Sequence, residues 1–547
     1  VAPELSSHGK RAGIMSTRGP SMHTNGFDAD RAIGYLNFLI GNHDWKGGHI
    51  SGQKTYSTRQ GRYDLDTVPG GYTPWGIPVT REKVRYETTS FFAEDGYPAR
   101  RRWVPFTGNA CHEVIPSAAA GYPYSLKALF LNRHSPLNSS PGAHRNAERL
   151  KRTDKIELVV AFDITVADSS MYADYLLPDL TYLEKFTQEG IYPSQQYAVT
   201  QLGQPTTRAY RGPRTTEETF IDLAKAMGLP GVGKDAFGPG TSFDASEDYW
   251  LKLAANVAYD GEEPVPDASA EEEEIFAGAR EKALGDTFDL ARWQEAVTGE
   301  EWKKVVTVLN RGGRFTGQAA ERADGYEGDW LKYRYEGLCQ FYDNPTAALT
   351  DCMTGDYFDG LAKIRPAQKS DGTIIDASEQ FPLQFTNWKS RTQGTYRTVN
   401  SAWLREVKPE NYLWISARDA AARGIETGDA VRITSATATV EGTAQVLQGI
   451  RPGVVGADSA FGHKGYGASD VVIDGQRIGA VRDYGHSESA RRITPGQEET
   501  GYAPSRSRGF PVNILLDEDS VDGGGGLVDP IGGGAAQLNT WVQVEKI

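Results

Sequence analysis

Phe381-Pro-Leu-Gln-Phe-Thr386 opens the stretch whose reading decides the fold, and that stretch runs on to Phe461. The opening run has strand composition. A polar loop follows that carries amide, cation and hydroxyl groups together: Asn387, Trp388, Lys389, Ser390, Arg391 and Thr392. Next come a strand, Tyr412-Leu-Trp-Ile415, and a short helix over Arg418 to Arg423. Ser416 and Asp419 have the S-x-x-D spacing of a capping box at that helix's start. Gly424 and then Gly428-Asp429 supply a helix stop and a turn, and Ala430-Val-Arg-Ile-Thr434 resumes as a strand. An alternating run from Thr437 to Leu447 meets Gly449-Ile-Arg-Pro-Gly453 and a last strand, Val454 to Asp458. Short strands, one tucked helix and glycine turns predict a small closed β-barrel.

Outward from the barrel, 547 residues leave room for three or four domains. The net charge of −14 argues against a nucleic-acid partner or an anionic membrane surface. Apolar content of 39% supports sizeable cores, and no apolar run approaches a membrane span. Cys111, Cys339 and Cys352 have no metal-type spacing. Cys339 and Cys352 either pair or stay as buried thiols. Val1 to Ser7 reads like the middle of a protein, with neither a signal peptide nor an initiator Met.

Ala12 to Met15 reads as a strand, followed by the polar loop Arg18-Gly-Pro-Ser-Met-His-Thr-Asn-Gly26 and a helix from Asp28 to Leu39. Ile33, Leu36 and Ile40 share one face of that helix. A polar glycine loop feeding a helix N-terminus is either an anion or ligand site, through His23 and Asn25, or simply a turn. Residues 53–105 are aromatic, charged and irregular, as in an insertion loop.

From Lys127 the pattern is α/β. Lys127 to Leu131 and Ile156 to Phe162 read as buried strands with a helix around Glu148 to Lys151 between them. Their carboxyl ends carry Asn132, Ser135, Asp163 and Thr165, and a loop then runs to Asp168. Two parallel strands ending in such groups make a nucleotide-type crevice: the carboxylate suits a guanine edge or ribose, the hydroxyls suit phosphate. Asp163 taken alone reads as a helix or turn cap rather than a ligand contact. Residues 206–330 read as mostly helical, with a capping box at Thr215 and Glu218 ahead of Phe220, Leu223 and Met227, and Gly228 as the stop. A further helix runs from about Glu247 to Tyr259. Glu271 to Glu274 reads as a solvated helix start and not a metal site. Leu309 to Phe315 breaks the helical stretch, residues 350–380 read as a polar linker, and Trp541 to Glu545 as a final strand.

The barrel's order of features resembles the molybdopterin-dinucleotide-binding domain of the dimethyl sulfoxide reductase superfamily: strand, Ser-Arg-Thr loop, "ISARDAAARGIETGDAVRIT", "GIRPGVV". "GPSMHTNG" with "IGNHDWKGG" is similar to the superfamily's cofactor-cleft segment. "SSMYADYLLPDLTYLEK", in which Ala173, Asp174, Leu177 and Pro178 match in place, is the most specific string, and Asp529 to Gly533 repeats the family's Asp-Pro-x-Gly-Gly habit. "SHGKRAGI", "KALFL", "VTVLNRGGRF", "SRTQG", "VVIDGQRIGA" and "DPIGGG" look most like the tetrathionate reductase branch, with arsenate, selenate, thiosulfate and polysulfide reductases as near relatives.

The expected fold class is therefore an α/β region, a parallel sheet with flanking helices, plus a C-terminal double-psi β-barrel. The expected organisation is a cofactor-binding region over 1–205, a helical insertion and linker over 206–380, and the dinucleotide-binding barrel over 381–547. The resemblance implies molybdenum held by two molybdopterin guanine dinucleotides and a [4Fe-4S] cluster. As partners it implies a membrane-anchor subunit together with an iron–sulfur electron-transfer subunit. It also implies a small sulfur oxyanion as substrate, in anaerobic respiration at the periplasmic or outer face of the cytoplasmic membrane. The cofactor-binding residues it implies are His23, Asn25, Asn132, Ser135, Asp163, Thr165, Lys389, Ser390, Arg391, Thr392, His463 and Lys464. Arg391, Arg397, His463 and Lys464 are the cations offered to the cofactor or to a dianionic substrate. The superfamily's N-terminal cysteine run and molybdenum ligand have no counterpart here, and Cys111 lies in a stretch used for other purposes. The expectation is thus the C-terminal part of a longer catalytic subunit, with the cluster outside this chain, or a noncatalytic cofactor-binding subunit of a split complex. No catalytic residue and no metal ligand is assigned.

Overall fold

A computed structural model covers the chain. It describes residues 11–50, 55–67, 76–106, 108, 110–189, 198–209, 211–315, 326–332, 334, 336, 340–395, 398, 401–466, 468, 471–478 and 508–547. Two compact units interleave along the sequence: Val1–Met15, Tyr35–Trp75 and Pro178–Cys339 form one, and Ser16–Gly34, Gly76–Leu177 and Gln340–Ile547 form the other.

The first unit is built on the helices Ser246–Tyr259, Ala270–Leu284 and Gly299–Asn310. Leu251, Ala254, Val257 and Ala258 of the first and Val305, Val306 and Leu309 of the third are buried with Phe276, Trp293 and Trp302. Each of the buried Leu and Val side chains contributes roughly 1.5–3 kcal/mol by leaving water. Ser269 and Thr298 begin their helices with complete capping boxes, closed by Glu272 and Glu301. The Thr215–Glu218 box starts the helix Thr216–Ala226 as expected. Its apolar residues Phe220, Leu223 and Met227 are exposed, however, and Ile221 is the side chain turned inward. The chain leaves helix at Asn310, and Gly313–Phe315 pairs antiparallel with Val199–Gly203.

Two other expectations change in this unit. Ala12 to Met15 is not a strand, because the Asn37 side-chain amide takes the place of a neighbouring strand. The Ile14 amide donates to Asn37 Oδ1 at 3.0 Å, and Asn37 Nδ2 donates to the Ile14 carbonyl at 2.8 Å. Asn37 is accordingly buried, while Leu36 faces outward. Residues 55–67, expected as uninformative loop, are clasped by Asn256, whose side chain accepts from the Tyr63 amide and donates to the Tyr63 carbonyl.

The second unit carries a three-stranded sheet and the barrel. Leu129–Asn132 and Val159–Asp163 run parallel in register, Leu129 opposite Val159 and Asn132 opposite Phe162, with Tyr175–Pro178 as the third strand. The short helices Val114–Ala120 and Asn146–Leu150 cover this sheet with Ile115, Ala118 and Leu150. The barrel closes in the order Leu413–Ser416, Thr439–Leu447, Ala430–Ser435, Thr540–Lys546, Leu383–Lys389, Val454–Ser459. Period-two burial fills it: Leu383 and Phe385, Leu413 and Ile415, Val431 and Ile433, Val542 and Val544 all point inward. The Ala417–Ala421 helix is capped by Ser416. The Asp419 carboxylate accepts from the Ser416 hydroxyl and the Gly453 amide, so the S-x-x-D pattern pins a distant turn instead of completing a capping box.

The first strand is longer than expected. Asn387, Trp388 and Lys389 continue it, opposite Ala457, Asp458 and Ser459, so the loop begins only at Ser390. Nor are residues 350–380 a free linker: Arg102 pairs with Asp351 at 2.9 Å, and the Ser370 amide donates to Asp519 at 2.7 Å. Cys352 is a free buried thiol, pushed up to about 12 by that burial, and Cys111 is free and exposed. Cys339 and Arg397 lie outside the described residues.

Candidate cofactor site

Within the second unit, the site grows from the turn after the Val159–Asp163 strand. The Ala167 amide donates to Ser170 Oγ at 2.7 Å, which folds the loop back and presents Asp168. The Asp168 carboxylate collects four donors: His463 Nδ1 at 2.6 Å, the Lys464 amide at 2.6 Å, the Gly465 amide at 2.7 Å and Asn138 Nδ2 at 2.7 Å. The Tyr466 amide adds a bond to the Val166 carbonyl at 2.6 Å. Burial by itself would raise the Asp168 carboxyl. The His463 bond and the Gly465 and Lys464 amides outweigh it and hold the group below the usual carboxylate range. An ionised carboxylate only accepts, so the His463 proton sits on Nδ1 and Nε2 points away from Asp168.

His463 lines a cavity of about 480 Å³ with Arg18, Ser135, Asn138, Lys389, Asn513 and others of the same unit. Among the described residues, Ser135 Oγ, His463 Nε2 and Asn513 Oδ1 are buried with no hydrogen-bond partner. Buried polar atoms left unpaired cost free energy unless a ligand satisfies them. The set suits a ligand rich in anionic and polar groups.

Three of the expected site residues, Ser135, Lys389 and His463, thus share this cavity. Lys464 lines a smaller neighbouring cavity of about 110 Å³ with Asp168 and His144. Asn132, Asp163 and Thr165 stand at the carboxyl ends of the parallel strands and are not among the lining residues. Thr165 Oγ1 is another buried atom without a partner among the described residues. His23 accepts at Nδ1 from Asn539 at 3.1 Å, and burial pulls its pKa down, so the ring is neutral. Asn25 precedes the helix Gly26–Ile40 and its carbonyl accepts from Ala29. The Phe27 amide donates to Asp529, which ties the start of that helix to the Asp-Pro-x-Gly-Gly segment.

Ser390 and Thr392 bond each other across a turn at 3.2 Å. Arg391 at its tip is exposed and, among the described residues, makes no hydrogen bond or ion pair. In this chain alone, Arg391→Ala is expected to change stability by less than about 0.5 kcal/mol. In the loaded full-length enzyme it removes a charge-assisted bond worth roughly 1.5–3 kcal/mol and lowers cofactor content. Wild-type content in that variant would exclude the loop from the site.

Burial raises the Asp163 carboxyl to about 6, although the Ile164 amide donates to it at 2.9 Å. The folded state therefore keeps this proton where the unfolded chain has lost it. Stability is expected to fall as pH rises from about 4 to about 6, by roughly 2–3 kcal/mol from this group. Asp163→Asn should flatten that limb of the stability–pH curve, and an unchanged curve would mean that water reaches the carboxylate.

Asp168, Asn138, Arg18 and Asn513 did not enter the sequence-based site. The signal for Asp168 was an acid closing the loop after a strand end. Nothing local marks its partner 295 residues away.

Residues 7–214 match the molybdopterin oxidoreductase family, and residues 383–494 match the molybdopterin dinucleotide binding domain. The chain belongs to the molybdopterin oxidoreductase family. A selenate reductase subunit of Mesobacillus selenatarsenatis is 35% identical over 100% of this chain and 52% of its own length. A tetrathionate reductase subunit of Salmonella typhimurium is 31% identical over 94% of this chain and 52% of its own. The corresponding tetrathionate reductase subunit of Archaeoglobus fulgidus is 28% identical over 83% and 43%. The chain spans about half the length of the curated relatives it matches.

The cofactor of these molybdopterin oxidoreductase domains is molybdenum bis(molybdopterin guanine dinucleotide). The unpaired Ser135, His463 and Asn513 atoms, with Lys389 and Arg18, fit a polar anionic group of that kind. When bound, the group supplies two-electron chemistry; the chain's own residues bind and orient it. Among the described residues, no group of three His, Cys, Asp or Glu side chains is arranged to hold a metal ion, and no helix is long and apolar enough to cross a membrane.

Proposed function

We propose that this chain is part of a molybdenum oxidoreductase catalytic subunit that reduces a group 16 oxyanion by two electrons, with tetrathionate as the substrate. The observation that carries the reading is the charge of the cavity: Arg18 and Lys389 line it, and no carboxylate is among its described lining residues. A dianion sheds water as it enters, and fixed cations offset that cost. With tetrathionate, two electrons cleave the central S–S bond and release two thiosulfates without proton uptake. The 35% identity to a selenate reductase subunit favours a second reading. Selenate takes two electrons and two protons and yields selenite and water.

The same reading places a [4Fe-4S] cluster outside this chain, with a membrane anchor and an iron–sulfur electron-transfer subunit beside it. The complex then works at the periplasmic or outer membrane face in anaerobic respiration. The barrel is taken as double-psi, supported by parallel pairing of Leu413–Ser416 with Thr439–Leu447 and of Val454–Ser459 with Leu383–Lys389.

Oxidation of reduced benzyl viologen by the full-length enzyme tests the proposal, with tetrathionate, selenate, thiosulfate and arsenate offered separately in weak buffer. Tetrathionate is expected to give the highest kcat/KM with no alkalinisation. Selenate turnover with alkalinisation would establish the second reading, and no turnover with any of the four would overturn both.

A further inference from the structure

We propose that Trp388 is the floor on which a planar heterocycle, the guanine or the pterin of the cofactor, lies in the cavity that Arg18 and Lys389 also line. The inference rests on reading that cavity as an anion site. It adds a ring-binding residue, Trp388, and leaves the identity of the anion to that reading.

The barrel fixes the indole from behind. Leu383 and Phe385 fill the core, so strand alternation puts Trp388 on the outer face. Its ring packs on Trp414 at 4.7 Å, and Gly456 sits on the strand between the two tryptophans. A Cβ at Gly456 would come within 2.7 Å of Trp388 Cζ3, so the indole lies down on that strand only because no side chain stands there. Trp414 and Gly456 thus back the ring, and Trp388 stays half-buried as a member of the cavity lining. A ring held in this way loses little freedom when a second ring stacks on it.

An inorganic oxyanion gains nothing from an indole surface, whereas a fused heterocycle does. Met22, Phe461 and Leu538 add further apolar lining. Asn387 and Gln537 supply what the polar edge of such a ring needs. Asn387 Nδ2 donates to the Gln537 carbonyl at 3.2 Å, and Gln537 Nε2 donates to the Ser139 carbonyl at 3.3 Å. Each side-chain carbonyl oxygen is left to accept. Guanine and pterin share a 2-amino-4-oxo edge whose N–H groups such oxygens accept.

Titration calorimetry of the 547-residue chain with GMP, pterin-6-carboxylate and ribose 5-phosphate tests the floor. The first two probes carry a ring and an anion, and the third carries the anion alone. One ring-bearing probe is expected to bind roughly tenfold or more tighter than ribose 5-phosphate, and its identity tells guanine from pterin. Trp388→Leu keeps apolar cover over Gly456 but has no π face. It should erase the ring advantage and leave ribose 5-phosphate binding as before, and Trp388→Phe should restore most of that advantage. Proton NMR of the wild-type complex needs no variant, so it carries the test if Trp388→Leu fails to fold: the ring's carbon-bound proton should move upfield under the indole ring current. Equal affinity for the three probes, a ring advantage that persists in Trp388→Leu, or no upfield shift overturns the floor while the anion reading of the cavity stands. Failure of all three probes to bind overturns both.

Discussion

Replacing Glu113 by alanine is expected to cost the second unit about 3–5 kcal/mol, the usual loss when one partner of a buried ion cluster is removed. Glu113 accepts from Arg81 at 2.6 Å and from Arg101 at 2.9 Å, and neither arginine side chain has solvent access. Burial by itself would raise the Glu113 carboxyl; the two guanidinium groups outweigh it and hold it well below the usual range. Its contribution is therefore present above the ordinary glutamate range near pH ~4 and is lost as pH falls through the depressed value. Arg81 also donates to the Arg102 and Val79 carbonyls, and Arg101 to the Gly524 carbonyl, so the cluster ties residues 79–102 to the glycine run near the C-terminus. Alanine leaves two cations buried without their counter-charge. Glu113→Gln keeps a hydrogen-bond acceptor and should fall between wild type and alanine. Hydrogen exchange over residues 76–125 measures the loss, and a change below about 1 kcal/mol would mean that water enters and solvates the arginines.

Gly465→Ala is expected to open the clamp between the two loops that make the site. A Cβ at Gly465 would collide with the Asp168 amide nitrogen and lie 2.5 Å from the Ala167 carbonyl carbon. Both are backbone atoms, so no side chain can swing aside, and the loops must part. The local cost is about 1–3 kcal/mol, the usual range for overpacking. The larger effect falls on binding, because parting the loops breaks the bonds that hold His463 in the cavity wall. Cofactor content in the full-length enzyme should drop well below wild type while the barrel, whose core is elsewhere, keeps its melting transition. Gly449→Ala has open space at its Cβ and serves as the control. Wild-type cofactor content in Gly465→Ala would show that the clamp is not needed for binding.

The barrel was legible because its inward residues alternate. Leu383 and Phe385, Val431 and Ile433, and Leu413 and Ile415 each mark a half-buried strand from local sequence alone. The complete capping box at Thr215 belongs to the same class of signal, since it closes within three residues. Periodicity misled where a polar side chain took the place of an apolar one. Asn37 is buried in the position that spacing assigns to Leu36, because it completes the backbone bonds of Ile14. Residues 76–105 carried too many charges to read as core, yet Arg81 and Arg101 are fully buried around Glu113.

By itself the sequence determined the barrel's strands, the parallel pair at Leu129 and Val159, the capping box at Thr215 and a polar loop feeding the Gly26–Ile40 helix. Each of these is set by side-chain alternation or by hydrogen bonds between near neighbours in the chain. Tertiary structure alone decided that Thr540–Lys546 sits between Ala430–Ser435 and Leu383–Lys389, and that Asp168 meets His463. A bond between residues 295 positions apart leaves no periodicity to read. It exists because burial removes water from both partners at once, and only the folded chain brings them close enough for their charge and hydrogen bonds to replace that water.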